Sequence, residues 1–127
     1  MKAYLALYYG AYGKTIRIEI RDKTSLKKLY ESFCMLGEGK NELIIIDGQE
    51  DNQYNVKVLE LRIGPKEEIN IAGSLNNLTI TWFRDREGWY YVKDLIAALL
   101  TADENESCEQ DIDTDDYFVE IEWKPFN

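Results

Sequence analysis

The spacing of apolar residues changes period several times along the chain, and these changes constrain the fold more than any other feature of the sequence. Between residues 15 and 21, isoleucine alternates with charged residues, which predicts a half-buried strand. Over Thr24 to Leu36, and again over Val92 to Leu100, apolar residues recur every three or four positions, which predicts two amphipathic helices. Other apolar or alternating runs predict strands near residues 2–9, 43–46, 54–63, 69–71, 78–83 and 117–123.

The order of these segments predicts a fold class. Strands that follow one another along the chain favour antiparallel pairing, and amphipathic helices bury their apolar sides against such a sheet. The 127 residues are enough for one core but not for two. We therefore expect a single α+β domain over residues 1–127, with a mainly antiparallel sheet, two helices packed on one face and an acidic loop over residues 103–116. A change of phase near Val58 and Leu59 predicts a β-bulge.

The net charge of -9 limits the classes of partner. An acidic chain repels the phosphate backbone of nucleic acids and the surface of anionic membranes. It attracts basic proteins and accelerates their association. We therefore expect a basic protein partner, and neither nucleic acid nor membrane.

The absence of histidine removes the usual general base and the commonest metal ligand. Triads of the Ser-His-Asp and Cys-His types are excluded, and no nucleotide-binding or nucleophile motif is present. We expect no catalytic residue, no metal and no cofactor, and hence no enzyme. Cys34 and Cys108 form no disulfide pattern, and no apolar run approaches the roughly 18 residues of a membrane span. These features favour a cytoplasmic protein.

Acidic residues are concentrated towards the C-terminus. Ten carboxylates and no basic residue lie between Asp103 and Glu122, and the last two of them, Glu120 and Glu122, alternate with the apolar residues of a predicted strand. Trp89 and Tyr90 follow a predicted turn, so we expect them to be exposed and to anchor an interface. The predicted partner-binding residues are Trp89, Tyr90, Asp103, Glu104, Glu106, Glu109, Asp111, Asp113, Asp115, Asp116, Glu120 and Glu122.

Three other arrangements of carboxylates are less favoured hypotheses for a functional site. The segment Asp111-Ile112-Asp113-Thr114-Asp115 resembles the start of an EF-hand calcium loop, with Glu122 at the twelfth position, but Asp116 replaces the glycine of the turn. The tripeptide Glu122-Trp123-Lys124 has the ending of a metal-dependent nuclease pattern. Two carboxylates at a suitable separation would also suffice for a glycosidase.

The abundance of acidic residues, the carboxylates of residues 103–122 and the candidate exposed aromatics resemble bacterial immunity proteins, which neutralise the toxins of competing strains. The resemblance concerns the type of protein and involves no sequence motif, so it transfers no binding residue. It implies a stoichiometric inhibitor of a basic partner, such as a toxin whose active site it occludes. The alternative is a structural or homo-oligomeric module; a carboxylate enzyme or a calcium-binding domain is less favoured.

Overall fold

Eight strands and two helices make up the protein in a computed structural model, which describes residues 1–125. The chain forms a single small domain of the α+β type with a curled sheet. In chain order the elements are β1 (Lys2–Gly10), β2 (Gly13–Ile20), α1 (Lys23–Gly37), β3 (Leu43–Gly48), β4 (Val56–Ile63), β5 (Glu68–Ser74), β6 (Asn77–Arg84), α2 (Arg86–Leu100), β7 (Cys108–Asp113) and β8 (Phe118–Trp123).

Both helices begin at an aspartate that caps their first turn. The Asp22 side chain accepts a hydrogen bond from Ser25 N at 2.8 Å, and the Asp85 side chain accepts one from Gly88 N at 2.7 Å. The first helix closely follows its prediction. The second begins at Arg86, upstream of the predicted Val92, because Asp85 supplies the cap. The helices contact each other, and their apolar residues join one core.

The sheet is mixed, which corrects the expectation of a mainly antiparallel sheet. Its strand order is β5-β6-β4-β3-β1-β2-β8-β7. Each hairpin along the chain is antiparallel, but β1 with β3, β2 with β8, and β4 with β6 pair in parallel. These three pairings join strands that are not consecutive in the sequence. An alternating pattern identifies a strand but does not identify its neighbours, so the pattern could not reveal them.

Two units of the same element order, strand-strand-helix-strand-strand, build this sheet. The first contains β1, β2, α1, β3 and β4, and the second contains β5, β6, α2, β7 and β8. The second strand of each unit pairs in parallel with the fourth strand of the other. The units differ in one respect: β1 pairs with β3, whereas β5 and β7 form the two edges of the sheet.

The core is rich in aromatic residues where α2 contacts both α1 and β6. The Trp89 indole lies 5.7 Å from the Phe33 ring and 4.9 Å from that of Trp82, measured between centroids. All three side chains are fully buried, and Trp89 Nε1 donates to the Arg62 carbonyl at 3.0 Å. Aromatic contacts of this kind stabilise a core beyond their burial alone.

Other predicted details are confirmed. The register of β4 against β6 shifts between Val56 and Val58, beside the predicted bulge. Cys34 and Cys108 are both free thiols. Within residues 1–125, neither helix is long and apolar enough to cross a membrane.

Candidate functional site

The acidic segment contains a strand where the sequence predicted a loop. Residues 103–116 do not form one continuous loop, because Cys108–Asp113 is β7 and pairs antiparallel with β8. Ile112 is the residue that holds it: it is 1 % exposed and faces Val119 across the hairpin. A strand with one fully buried apolar residue among polar neighbours lacks a clear alternating pattern, so its sequence resembles that of a loop.

The hairpin places carboxylates opposite one another. Asp111 faces Glu120 and Glu109 faces Glu122 in the register of β7 and β8. Side-chain oxygens of Glu109, Asp111 and Glu120 all lie within 4.8 Å of one another. We call these three residues the carboxylate triad. Like charges directly opposite in a sheet destabilise the pairing, so the rest of the fold must offset this repulsion.

One arginine compensates part of this charge. Arg17, on the neighbouring β2, forms ion pairs of 3.1 Å with Glu120 Oε1 and 3.4 Å with Glu122 Oε2. The Tyr8 hydroxyl donates to Glu120 Oε2 at 2.8 Å and accepts from Arg17 Nη2 at 3.0 Å. Burial raises the pKa of the Glu122 carboxyl, and the Arg17 charge opposes that effect. Arg17 thus compensates one of the two negative charges of Glu120 and Glu122 from the side of β2.

The outer two members of the triad have no such partner. Among residues 1–125, no lysine or arginine forms an ion pair with Glu109 or Asp111. Partial burial, together with the negative charges of Glu120 and Asp111, raises the pKa of Glu109 to about 7. A carboxyl that holds a proton near neutral pH marks a place where a positive charge would be stabilised.

A cleft of about 270 Å³ opens beside the triad, between the turn that joins β1 to β2 and the β7–β8 hairpin. The Tyr12 ring forms one side of it, 5.4 Å from the Phe118 ring. Tyr12 is 78 % exposed, so most of its ring is available for further contacts. The cleft combines carboxylate oxygens with an exposed aromatic face, which suits a cationic group. The triad oxygens are also the ligand type that hard cations prefer.

The remaining predicted acids lie on both sides of β7. Asp103, Glu104 and Glu106 occupy the exposed connection from α2. Asp115 and Asp116 lie in the β7–β8 turn, where they line a second cleft of about 280 Å³ with residues 66–70. The structure therefore brings Glu109, Asp111, Asp113, Glu120 and Glu122 together on the strands. We call these five residues the acidic face.

The aromatic residues chosen from the sequence lie elsewhere. Trp89 is 0 % exposed, which overturns the expectation that it anchors an interface. The helix that begins at Arg86 turns its indole into the core instead of placing it after a turn. Tyr90 is 39 % exposed, but it packs over Gly37 of α1 and does not line either cleft.

The twelve-residue calcium loop is not formed. Asp111 and Asp113 belong to β7, and Glu122 lies opposite Glu109 on β8. An EF-hand needs an irregular loop that wraps its ligands around one ion, which paired strands cannot do.

Sequence reasoning missed Tyr8, Tyr12, Arg17 and Phe118 as residues of this site. Alternation places Arg17 on the polar side of its strand, and that was the available signal. The parallel pairing of β2 with β8, which brings Arg17 to Glu120, was not visible in the sequence. Comparisons of the chain with protein-family models, with curated proteins and with solved structures found no match, so the functional argument rests on this geometry.

Proposed function

We propose that this protein binds a cationic protein partner, which docks on the acidic face of β7 and β8. The observation that carries the proposal is the carboxylate triad, in which three acids lie within 4.8 Å of one another and only Glu120 is compensated by an arginine. A partner's lysine or arginine beside Glu109 and Asp111 would relieve this repulsion, and the relief would add to the affinity.

The carboxylates are held on paired strands, and this supports binding rather than solubility alone. Charges on a mobile loop lose conformational freedom when a partner binds, and that loss lowers the affinity. Here the backbone of Glu109, Asp111 and Glu120 is already ordered by the hairpin. The exposed ring of Tyr12 lies at the end of the neighbouring hairpin and offers apolar contact area beside the charges.

We further infer that both helices cover the face of the sheet opposite to the acidic face. Ile16 and Ile18 of β2 are buried in the core that the helices share, whereas Arg17, which lies between them, reaches Glu120. Alternate residues of a strand point to opposite faces. The acidic face would then remain open to a partner.

Inhibition of a toxin is the specific form of this function that we favour. A basic active site that binds a phosphate-containing substrate would accept the carboxylates in place of the phosphates, and the bound protein would occlude it. The support is the resemblance in composition to immunity proteins together with the spacing of the triad. The stoichiometry would be one inhibitor for each toxin molecule.

The test compares two double variants, each with two acids replaced by amides, on the captured partner. Glu109→Gln with Asp111→Asn removes the uncompensated carboxylates, while Glu31→Gln with Glu42→Gln removes two exposed acids outside both clefts. A basic protein retained from source lysate by the wild-type chain is purified, and its affinity is measured by calorimetry at several salt concentrations. We expect the first variant to bind about tenfold to a hundredfold more weakly with a shallower salt dependence, and the second to bind like wild type.

Equal affinities for the two variants would contradict a role of the acidic face. The partner's own enzymatic activity is then assayed with the wild-type protein. Loss of that activity at a one-to-one ratio supports inhibition, whereas full activity in the complex contradicts occlusion and leaves a binding function.

A further inference from the structure

The backbone of β7 offers hydrogen-bonding groups on its outer side. Thr114 N donates to the Tyr117 carbonyl at 2.9 Å, and this bond sets the phase of the antiparallel ladder. Because hydrogen-bonded and non-hydrogen-bonded pairs alternate, Ile112 and Gln110 bond to β8. Glu109, Asp111 and Asp113 therefore direct their N–H and C=O groups away from β8, towards an edge with which no other strand of residues 1–125 pairs.

The same three residues carry the carboxylates. A strand that added to this edge would meet a negative side chain at every second residue. Two copies of β7 paired with each other would oppose carboxylates to carboxylates, which disfavours self-association along this edge. A strand with lysine or arginine at alternate positions would instead place a positive charge opposite each carboxylate.

The second edge of the sheet is suitably placed to flank such a strand. Strands β5 and β7 run in the same direction in the sheet. Their counterparts in the first unit are β1 and β3, and these two strands do pair. The start of β1 pairs with the end of β3, at Lys2 with Asp47 and at Ala3 with Gly48.

At the equivalent place in the second unit, the start of β5 and the end of β7 face each other across the cleft of about 280 Å³. We call it the seam cleft. It is lined by Lys66, Glu67, Glu68, Ile69, Asn70, Thr114, Asp115, Asp116 and Tyr117. Glu67 is neutralised by Arg84 at 2.7 Å, but Glu68, Asp115 and Asp116 form no ion pair within the described chain and outnumber the single Lys66.

We infer that an extended segment of the partner, with lysine or arginine at alternate positions, adds to β7 as an antiparallel strand whose end enters the seam cleft. This inference rests on the proposed function and specifies how the partner binds. Because β5 and β7 run in the same direction, a strand added antiparallel to β7 is also antiparallel to β5. It would lie between these two edge strands, where the sheet is not closed. Main-chain hydrogen bonds supply affinity, and the carboxylates select the basic side chains.

Hydrogen exchange of the ¹⁵N-labelled wild-type chain tests the inference directly. The probe is a blocked peptide of alternating lysine and valine. The control peptide carries an N-methyl group on the backbone nitrogen of each lysine, so it keeps the charge and loses the main-chain donors that face β7. We expect the amides of Glu109, Asp111 and Asp113 to exchange at least about tenfold more slowly with the first peptide and unchanged with the second. The amides of Gln110 and Ile112 are protected in the free protein.

A pair of variants tests the same mode with the captured partner. Asp111→Asn removes the charge and keeps the outward N–H, whereas Asp111→Pro removes both. Because this N–H does not bond to β8, proline at an edge position is compatible with the hairpin. We expect Asp111→Pro to bind at least about tenfold more weakly than Asp111→Asn. Circular dichroism verifies that both are folded, and the peptide experiment remains decisive if the proline variant is not.

Three results would overturn strand addition. Equal binding of both peptides without slower exchange would show docking by charge alone. No binding of the alternating peptide at about 1 mM would exclude a useful affinity for this edge. A dimer of the wild-type protein in sedimentation, together with a monomer of Asp111→Pro, would assign the edge to a second copy of the chain. In the first two cases, weaker partner binding by the Glu109→Gln and Asp111→Asn double variant would still uphold the proposed function.

Discussion

Asp111 lies directly opposite Glu120 in the β7–β8 hairpin, so the fold holds two carboxylates at a cross-strand position where opposite charges would be favourable. Such a like-charge pair costs about 0.2–1 kcal/mol. The neighbouring pair of Ile112 and Val119 is buried and stabilises the hairpin beside it. A sheet that keeps a repulsive pair on its surface has a charge arrangement that a cationic partner can complete.

The stability of the protein should fall as pH rises through the titration of Glu109. Partial burial and the nearby Glu120 and Asp111 raise its pKa from an ordinary value of 4.5 to about 7. Between these values the folded chain binds more protons than the unfolded chain, so the stability contributed below the lower pKa is lost as pH approaches the higher one.

Glu109→Gln should remove this dependence. Since the side chain is only partly buried and its charge is screened by solvent, we expect the variant to gain up to about 1 kcal/mol over wild type on going from about pH 5 to about pH 8. Urea denaturation at both pH values measures the difference. Parallel stability curves for the two proteins would contradict the raised pKa.

Arg17 should be the charge on which the acidic face most depends for stability. Arg17→Met keeps the aliphatic stem but leaves Glu120 and Glu122 without their ion pairs. We expect a loss of about 1–3 kcal/mol, because a partly buried carboxylate loses a charged hydrogen-bond donor. Adding Glu120→Gln should restore part of it, and a double-mutant cycle by chemical denaturation gives the coupling. Additive effects would mean that the two residues do not interact.

Trp89 should contribute to stability and not to binding. Trp89→Phe removes the bond from Nε1 to the Arg62 carbonyl and leaves space beside Trp82, so we expect a loss of about 1–3 kcal/mol. Tyr90→Ala, at an exposed position on the same helix, should cost less. Thermal denaturation ranks the two variants, and calorimetry on the folded proteins measures partner affinity. Weaker binding by a fully folded Trp89→Phe would contradict the burial seen here.

Two glycines with positive φ should respond differently to alanine. A Cβ on Gly73 (φ 104°) would lie 2.4 Å from the Asn77 carbonyl oxygen, whereas one on Gly13 (φ 119°) would meet nothing within 4 Å. We expect Gly13→Ala to cost about 1–2 kcal/mol from backbone strain alone, and Gly73→Ala to cost more because backbone must also move. Denaturant midpoints compare them. Equal losses would argue against the tight β5–β6 turn.

Local residue patterns were enough to predict both helices and seven of the eight strands. Alternation at Ile16 and Ile18 requires only that one side of a strand be buried, and the spacing over α1 requires only one apolar side of a helix. The exception, β7, is polar apart from Ile112 and the half-buried Cys108, so its pattern is that of a solvated loop.

The burial of Trp89 depends on where α2 begins, and the spacing of apolar residues did not reveal that start. Asp85 caps α2, and this places Trp89 on the buried side of the helix. Had the chain continued as a strand from Trp89, the same residue would have alternated with exposed neighbours. The Asp85 cap, four residues upstream of Trp89, therefore decided whether Trp89 is an exposed interface residue or a core residue.

The sequence by itself determined the periodicity of its elements, the excess of negative charge and the absence of histidine chemistry, because each of these is a property of residues and their near neighbours. Only the tertiary structure decided that β2 pairs with β8, that Arg17 meets Glu120, and that Glu109 and Asp111 remain uncompensated. The first two of these relationships join residues about a hundred positions apart. They arise from the packing of strands around one core, which a local pattern does not encode.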